Sequence, residues 1–146
     1  MSENFDIRIG YWLKLLSRKM GVLQDLRLSK YNITASQLGV LLEINSNDGA
    51  SQKEIQQNLV ITPASFTGLV SSLEGKGYLK RVQDKQDARI NRLYITEAGK
   101  EMKEKAFEEF LNTKEILVEG FSLEEQVLLV SWLKKMYRNL EKHRGD

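Results

Sequence analysis

The sequence predicts a mainly α-helical chain carrying one small two-stranded β-ribbon. Three observations carry this expectation. Apolar residues recur at helical spacing over most of the 146 residues, and three capping boxes mark helix starts at Thr34/Gln37, Ser51/Glu54 and Ser122/Glu125. Between residues 79 and 95, two short runs of strand formers flank a polar hexapeptide.

The first expected helix carries an apolar stripe of Ile9, Trp12, Leu13, Leu16, Met20 and Leu23. Ile7, Tyr11 and Leu15 add apolar groups off that stripe, so this helix is greasy on more than one side. Thr34 opens a second helix with Leu38, Val40, Leu41 and Leu42, which ends before Asn47-Asp48-Gly49. Ser51 opens a third. Thr62 caps a fourth, with Pro63 at the first helical position, where a missing N–H costs nothing. Phe66, Leu69, Val70 and Leu73 fall on one face of that fourth helix and are expected to be buried. Its other face carries Ala64, Ser65, Thr67, Gly68 and Ser71, all small and mostly hydroxylic. Lys76-Gly77 supplies a C-terminal cation and a stop with positive φ.

Leu79–Gln83 and Asn91–Ile95 then read as strands, joined by Asp84-Lys85-Gln86-Asp87-Ala88-Arg89. Pairing them makes a hairpin whose tip holds Lys85 and Arg89. Thr96 caps a further helix with an apolar set of Ala98, Met102, Ala106, Phe110 and Leu117, and Gly120 breaks it. Ser122 opens the last helix, with Leu129, Trp132, Leu133, Met136 and Leu140.

A helix-turn-helix followed by a basic β-hairpin is a winged helix. The order Leu73-Glu74-Gly75-Lys76-Gly77-Tyr78-Leu79, then Asp87-Ala88-Arg89, then Ile95-Thr96-Glu97-Ala98-Gly99 resembles the MarR family of bacterial transcription regulators. The flanking helices match that family in number and placement. The resemblance implies a winged helix-turn-helix lobe at 34–99 and a helical dimerisation lobe built from 5–30 and 100–143. The residues point the same way: two amphipathic C-terminal helices and a many-sided N-terminal one offer more apolar surface than a small wing lobe covers. They either wrap the core of one chain or bury about 2,000 Å² or more against a second copy. A homodimer would read a pseudo-palindrome with half-sites about one DNA turn apart.

Hydroxyls on Ser65, Thr67 and Ser71 can bond phosphates or base edges, and Ala64 or a threonine methyl can pack on a thymine methyl. By resemblance, this helix, with Thr62 at its start and Gly68 in its middle, occupies the major groove. The wing would flank the adjacent minor groove, where Arg89 matches the family's wing arginine and Asp87 the acid that holds it. An intramolecular Arg89–Asp87 pair is the alternative role, and both can hold together. Lys85 reads as a phosphate contact, and Ser51 and Gln52 as further bonds to phosphate. Arg81 and Arg92 are expected to be solvent-facing strand residues. The chain departs from the family at Gly68 and Ser72, where arginines are common, while Gln86 and Ala88 thin the charge of the wing. A glycine inside a helix costs about 1 kcal/mol relative to alanine, which a close backbone approach to DNA would explain.

Charge distribution agrees with this reading. Net charge is only +2, yet residues 51–100 hold eight bases against five acids, and from Glu101 onward acids outnumber bases. Phosphate attraction is therefore concentrated on the winged-helix segment. Zero cysteines exclude disulfides, thiolate metal sites and thiol-based redox sensing. No apolar run approaches the roughly 20 residues that span a bilayer, and Met1-Ser2-Glu3-Asn4 lacks the layout of a secretory signal. A cytoplasmic location is expected, with no membrane partner.

The family resemblance implies a small aromatic or anionic effector in a crevice between the lobes. Tyr11, Trp12, Arg18 and Tyr31 supply aromatic and cationic walls; their ordinary roles are core packing for Trp12 and surface for the others. No catalytic, cofactor or metal site is expected. His143, the sole histidine, lies in the basic tail Lys142–Asp146, and there is no phosphate loop or nucleophile constellation. Glu108-Glu109 and Glu124-Glu125 fit solvated helix faces. The expectation is a ligand-responsive repressor that acts by occupying DNA, against the alternative of a winged-helix module that grips a protein.

Overall fold

The computed structural model describes residues 8–59 and 61–144; expectations placed on residues 1–7, Ile7 included, and on Gly145-Asp146 lie outside them. Among the described residues, six α-helices and one ribbon follow the expected order: α1 Ile9–Leu28, α2 Ala35–Ser46, α3 Gln52–Asn58, α4 Pro63–Gly75, β1 Leu79–Gln83, β2 Asn91–Ile95, α5 Glu97–Leu117 and α6 Leu123–Lys142. A short 3₁₀ turn at Ser29–Tyr31 follows α1. Two compact units divide the chain, one running to Thr113 and one from Lys114 onward.

Each expected capping box forms completely. The hydroxyls of Thr34, Ser51 and Ser122 accept the N–H three residues on, and the side chains of Gln37, Glu54 and Glu125 return a bond to the capping residue's own N–H. Thr62 accepts the Ser65 N–H at 3.2 Å, with Pro63 first in α4. Gly77 takes φ +77° after α4, and Gly120 takes φ +83° between α5 and α6.

The core of the first unit is built around α2. Leu38, Val40, Leu41 and Ile44 meet Ile55 of α3, Phe66, Val70 and Leu73 of α4, and Leu79, Leu93 and Ile95 of the ribbon. The two strands pair antiparallel, from Leu79 opposite Ile95 to Gln83 opposite Asn91. A third edge joins them that the sequence did not announce. Gly49 donates its N–H to the Leu93 carbonyl at 2.8 Å, Leu93 donates to Ala50 at 3.0 Å, and Ser51 bridges to Arg92. The turn before α3 is thereby tied to the wing.

On α5 Gly99, Ala106 and Thr113 are buried and Met102 is half-buried, while Ala98, Phe110 and Leu117 of the expected apolar set are exposed. The first turn of α5 abuts the backbone at Tyr78, where only a glycine fits: a Cβ at Gly99 would stand 2.0 Å from the Tyr78 carbonyl oxygen. Three expectations need correction. Glu109 does not lie on a solvated face. Its side chain is 17% exposed and is paired with Lys30 and, at 3.9 Å, with Arg27. Trp12 is not in the core; it is exposed and meets the Tyr11 ring edge-on at 5.5 Å. Finally, Arg81 and Arg92 of the ribbon are not simple solvent-facing residues: Arg81 pairs with Glu74, and Arg92 bonds Asp84 and the Gly49 carbonyl.

Apolar residues are exposed on each terminal helix taken by itself. Ile9, Leu13, Leu16 and Met20 of α1 are exposed, and only Gln24 and Leu28 of that helix are buried. In the second unit, α6 buries none of its twenty residues, although Leu129, Trp132, Leu133 and Leu140 lie along it. No helix among the described residues is long and apolar enough to cross a membrane.

Candidate nucleic-acid interface

Burial of Phe66, Val70 and Leu73 fixes the rotation of α4 and turns Thr62, Ala64, Ser65, Thr67, Gly68 and Ser71 outward, all of them exposed. Part of this polar face is internally committed. The Thr62 hydroxyl donates to Ser65 Oγ at 2.9 Å, and Thr67 Oγ1 donates to the Pro63 carbonyl at 3.0 Å. A Cβ at Gly68 would meet nothing within 4 Å, so no contact inside the protein requires glycine there. Ser72 behaves differently from its expected place on the reading face. It is half-buried, and its Oγ accepts a bond from Gln37 Nε2 at 2.9 Å.

At the wing, Arg89 donates Nε to Asp87 Oδ1 and Nη2 to Asp87 Oδ2, both at 3.0 Å, and its backbone N–H also reaches Oδ1 at 3.0 Å. This fork holds the Asp87 carboxyl below its usual range. The Arg89 side chain nevertheless remains 90% exposed, so the pair orients a cation outward instead of consuming it. Lys85 is exposed at the tip. Asp84 organises the loop from its base: Oδ1 accepts the N–H groups of Gln86 at 2.8 Å and Asp87 at 3.0 Å.

Arg92 and Arg81 correct the sequence reading. Arg92 donates Nε to Asp84 Oδ2 at 2.6 Å and Nη1 to the Gly49 carbonyl at 3.0 Å. The Arg92 bond, followed by the two loop amides, lowers the Asp84 carboxyl to about 2. Arg81 has a half-buried side chain with Nη2 3.5 Å from Glu74 Oε1. The sequence signal for the first pair was slight: an acid opening the hairpin loop and a base at the second position of the strand that follows it. Nothing local announced the Gly49 carbonyl, 43 residues away from Arg92.

Ser51, Gln52, Thr67, Arg81 and Arg89 line one cleft of about 500 Å³, together with Pro63 and Phe66. The fold thus brings together the start of α3, the face of α4 and the wing arginine. Ser51 is engaged by its own cap, because its N–H goes to Glu54 Oε2 at 2.8 Å, which holds the Glu54 carboxyl below its usual range. Gln52 is half-buried with its side-chain oxygen covered. Thr62, Ala64, Ser65, Gly68, Ser71 and Lys85 lie on the same helix or wing but outside the lining of this cleft.

The proposed effector residues are not gathered in the same way. Tyr11 and Trp12 touch each other, Arg18 is exposed, and Tyr31 is half-buried with Lys30 Nζ 5.1 Å from its ring centre. Neither the wing cleft nor an apolar groove along α6 includes any of the four. Among the described residues, no three His, Cys, Asp or Glu side chains gather as a metal ion would require.

Comparison with known proteins agrees with this geometry. Residues 33–90, which hold α2 to the wing loop, match the model of the MarR family. The HTH-type transcriptional regulator YybA of Bacillus subtilis is 22% identical over 128 residues, covering 88% of this chain and 85% of its own. The MepR–DNA complex of S. aureus is 27% identical with a TM-score of 0.84, over 90% of this chain and 97% of MepR. The PcaV transcriptional regulator of Streptomyces coelicolor, solved with its natural ligand, shares the fold at 18% identity and a TM-score of 0.86, over 94% of this chain and 97% of its own. Residues 33–90 thus hold a MarR-family domain, and the mostly helical chain with its two-stranded wing shares the winged-helix fold of MarR-family transcription regulators.

Proposed function

We propose that this regulator is a homodimeric, ligand-responsive repressor that binds a pseudo-palindromic operator. The observation that carries the reading is the shared cleft, where Thr67 of α4 and the 90%-exposed Arg89 of the wing flank one concavity with Ser51 at its edge. A duplex fits this layout with α4 in the major groove and Arg89 in the neighbouring minor groove. Thr62, Ala64, Ser65, Thr67, Gly68 and Ser71 then face base edges and phosphates, while Lys85, Ser51 and Gln52 contact the backbone. MepR, a relative at 27% identity, was solved as a DNA complex, which supports the same partner for this chain.

We place the winged lobe at 34–99 and assign dimerisation to the segments 5–30 and 100–143. Support for a second copy comes from each terminal helix by itself: an exposed apolar stripe on α1 and an α6 without a single buried residue. A small aromatic or anionic effector is assigned to Tyr11, Trp12, Arg18 and Tyr31, and PcaV, solved with its natural ligand, supports a ligand for this chain. The effector induces by binding more tightly to the pair of heads in a spacing that does not fit DNA. The protein works in the cytoplasm by occupying DNA and catalyses no reaction.

Selection from a pool of random duplexes tests this. Recovery of a pseudo-palindrome with half-sites about one turn apart, lost on Arg89→Ala, is the expected result. Recovery of no motif would overturn it and turn the search to protein partners.

A further inference from the structure

Arg92 joins three pieces of the first unit: the turn before α3, the ribbon and the wing loop. Its Nη1 holds the Gly49 carbonyl of that turn, and its Nε holds Asp84 at the base of the loop. Asp84 in turn accepts the amides of Gln86 and Asp87, and Asp87 grips Arg89 through both side-chain nitrogens. Gly49 is itself bonded through its N–H to the Leu93 carbonyl, so the anchor point belongs to the ribbon and to the helix-turn-helix at once. We propose that Arg92 is a positioning residue for the wing, holding the loop through Asp84 so that Arg89 is presented to DNA in one orientation. The inference rests on the DNA-binding reading above.

Two features separate this role from a direct phosphate contact. Two of the Arg92 donor nitrogens are already spent on protein acceptors, and its side chain is 38% exposed against 90% for Arg89. The Asp84 charge also disfavours the charged form of Asp87. Without Arg92, two neighbouring carboxylates would repel at the base of the loop, and the carboxyl that gathers the Gln86 and Asp87 amides would lose its anchor.

Electrostatics alone and positioning predict opposite signs for one variant. Asp84→Asn removes a negative charge beside DNA, which by charge alone strengthens binding. If Asp84 serves to pass the hold of Arg92 to the loop, the same change weakens it. Arg92→Lys keeps the charge but loses the two-pronged geometry, so it should not restore binding.

The experiment is a set of anisotropy titrations of the full chain against the pseudo-palindromic duplex recovered by selection. Arg92→Met, Arg92→Lys and Asp84→Asn should each weaken binding about tenfold, and at protein concentrations high enough to saturate the duplex with Arg89→Ala, none should weaken it further in that background. Tighter or unchanged binding by Asp84→Asn, or additive losses beside Arg89→Ala, would overturn the proposal. Amide hydrogen exchange on the free protein provides a readout that needs no DNA. Gln86 and Asp87 should exchange faster in Arg92→Met while Val70 stays protected; unchanged exchange at both overturns the proposal. Failure of the wild type to bind any duplex would instead overturn the DNA reading, while the exchange result would still judge the hold on the loop.

Discussion

Gly99 and the Tyr78 carbonyl oxygen are in such close register that a Cβ on Gly99 would stand 2.0 Å from that oxygen. The junction is pinned from both sides. Thr96 donates its N–H to the same carbonyl at 3.1 Å and its hydroxyl to Gly77 at 2.6 Å, and it accepts the Gly99 N–H at 3.0 Å. Gly99→Ala therefore forces a methyl against backbone, where no side chain can rotate away. A loss of about 1–3 kcal/mol is expected, read as a lower urea midpoint with an unchanged slope.

Gly68 makes the opposite case. It lies inside α4, and a Cβ added there would have nothing within 4 Å, so alanine meets no obstacle and gains helix propensity. Gly68→Ala should raise stability by about 1 kcal/mol. Paired urea titrations of the two proteins check it.

Asp84 makes stability depend on acid pH with a defined sign. Its carboxyl is held at about 2 by Arg92 and the Gln86 and Asp87 amides, below its ordinary value of 3.8. A depressed carboxylate contributes stability that is fully present above the ordinary value and is lost as pH falls through the native one. The stability gap between wild type and Asp84→Asn should thus be constant near neutrality and close between about pH 4 and pH 2. Unfolding curves stepped through that range would show it.

Trp132 tests the second copy. In an isolated chain this residue is 57% exposed, and a charge placed there would change stability by no more than about 0.5 kcal/mol. If α6 is buried against a partner, Trp132→Glu leaves an unpaired charge in an apolar interface. Sedimentation equilibrium should show the wild type as a dimer and the variant as a monomer.

Ser51 carries one further expectation. Its hydroxyl accepts the Glu54 N–H at 3.2 Å at the start of a helix only seven residues long. Ser51→Ala should cost about 1 kcal/mol, seen as a reduced urea midpoint.

Much of the molecule was legible in the chain because its cues are local. Capping boxes at Thr34, Ser51 and Ser122, the Thr62-Pro63 start and the positive φ of Gly77 each depend on residues within one helical turn, and all formed as read. Both strands, the buried face of α4 and the Asp87–Arg89 pair are equally short-range. What tertiary structure alone decided are the contacts that join distant segments. Ser72 turned inward to Gln37, 35 residues away; Glu109 left solvent for Lys30, 79 residues away; and Arg92 reached the Gly49 carbonyl across 43. The close approach at Gly99 of α5 belongs with them, since periodicity shows that a helix has an apolar face but not how near a neighbouring backbone will come. Sequence determines which conformations each segment prefers; packing decides which polar groups end up close enough to bond, because that distance is set by every other segment at once.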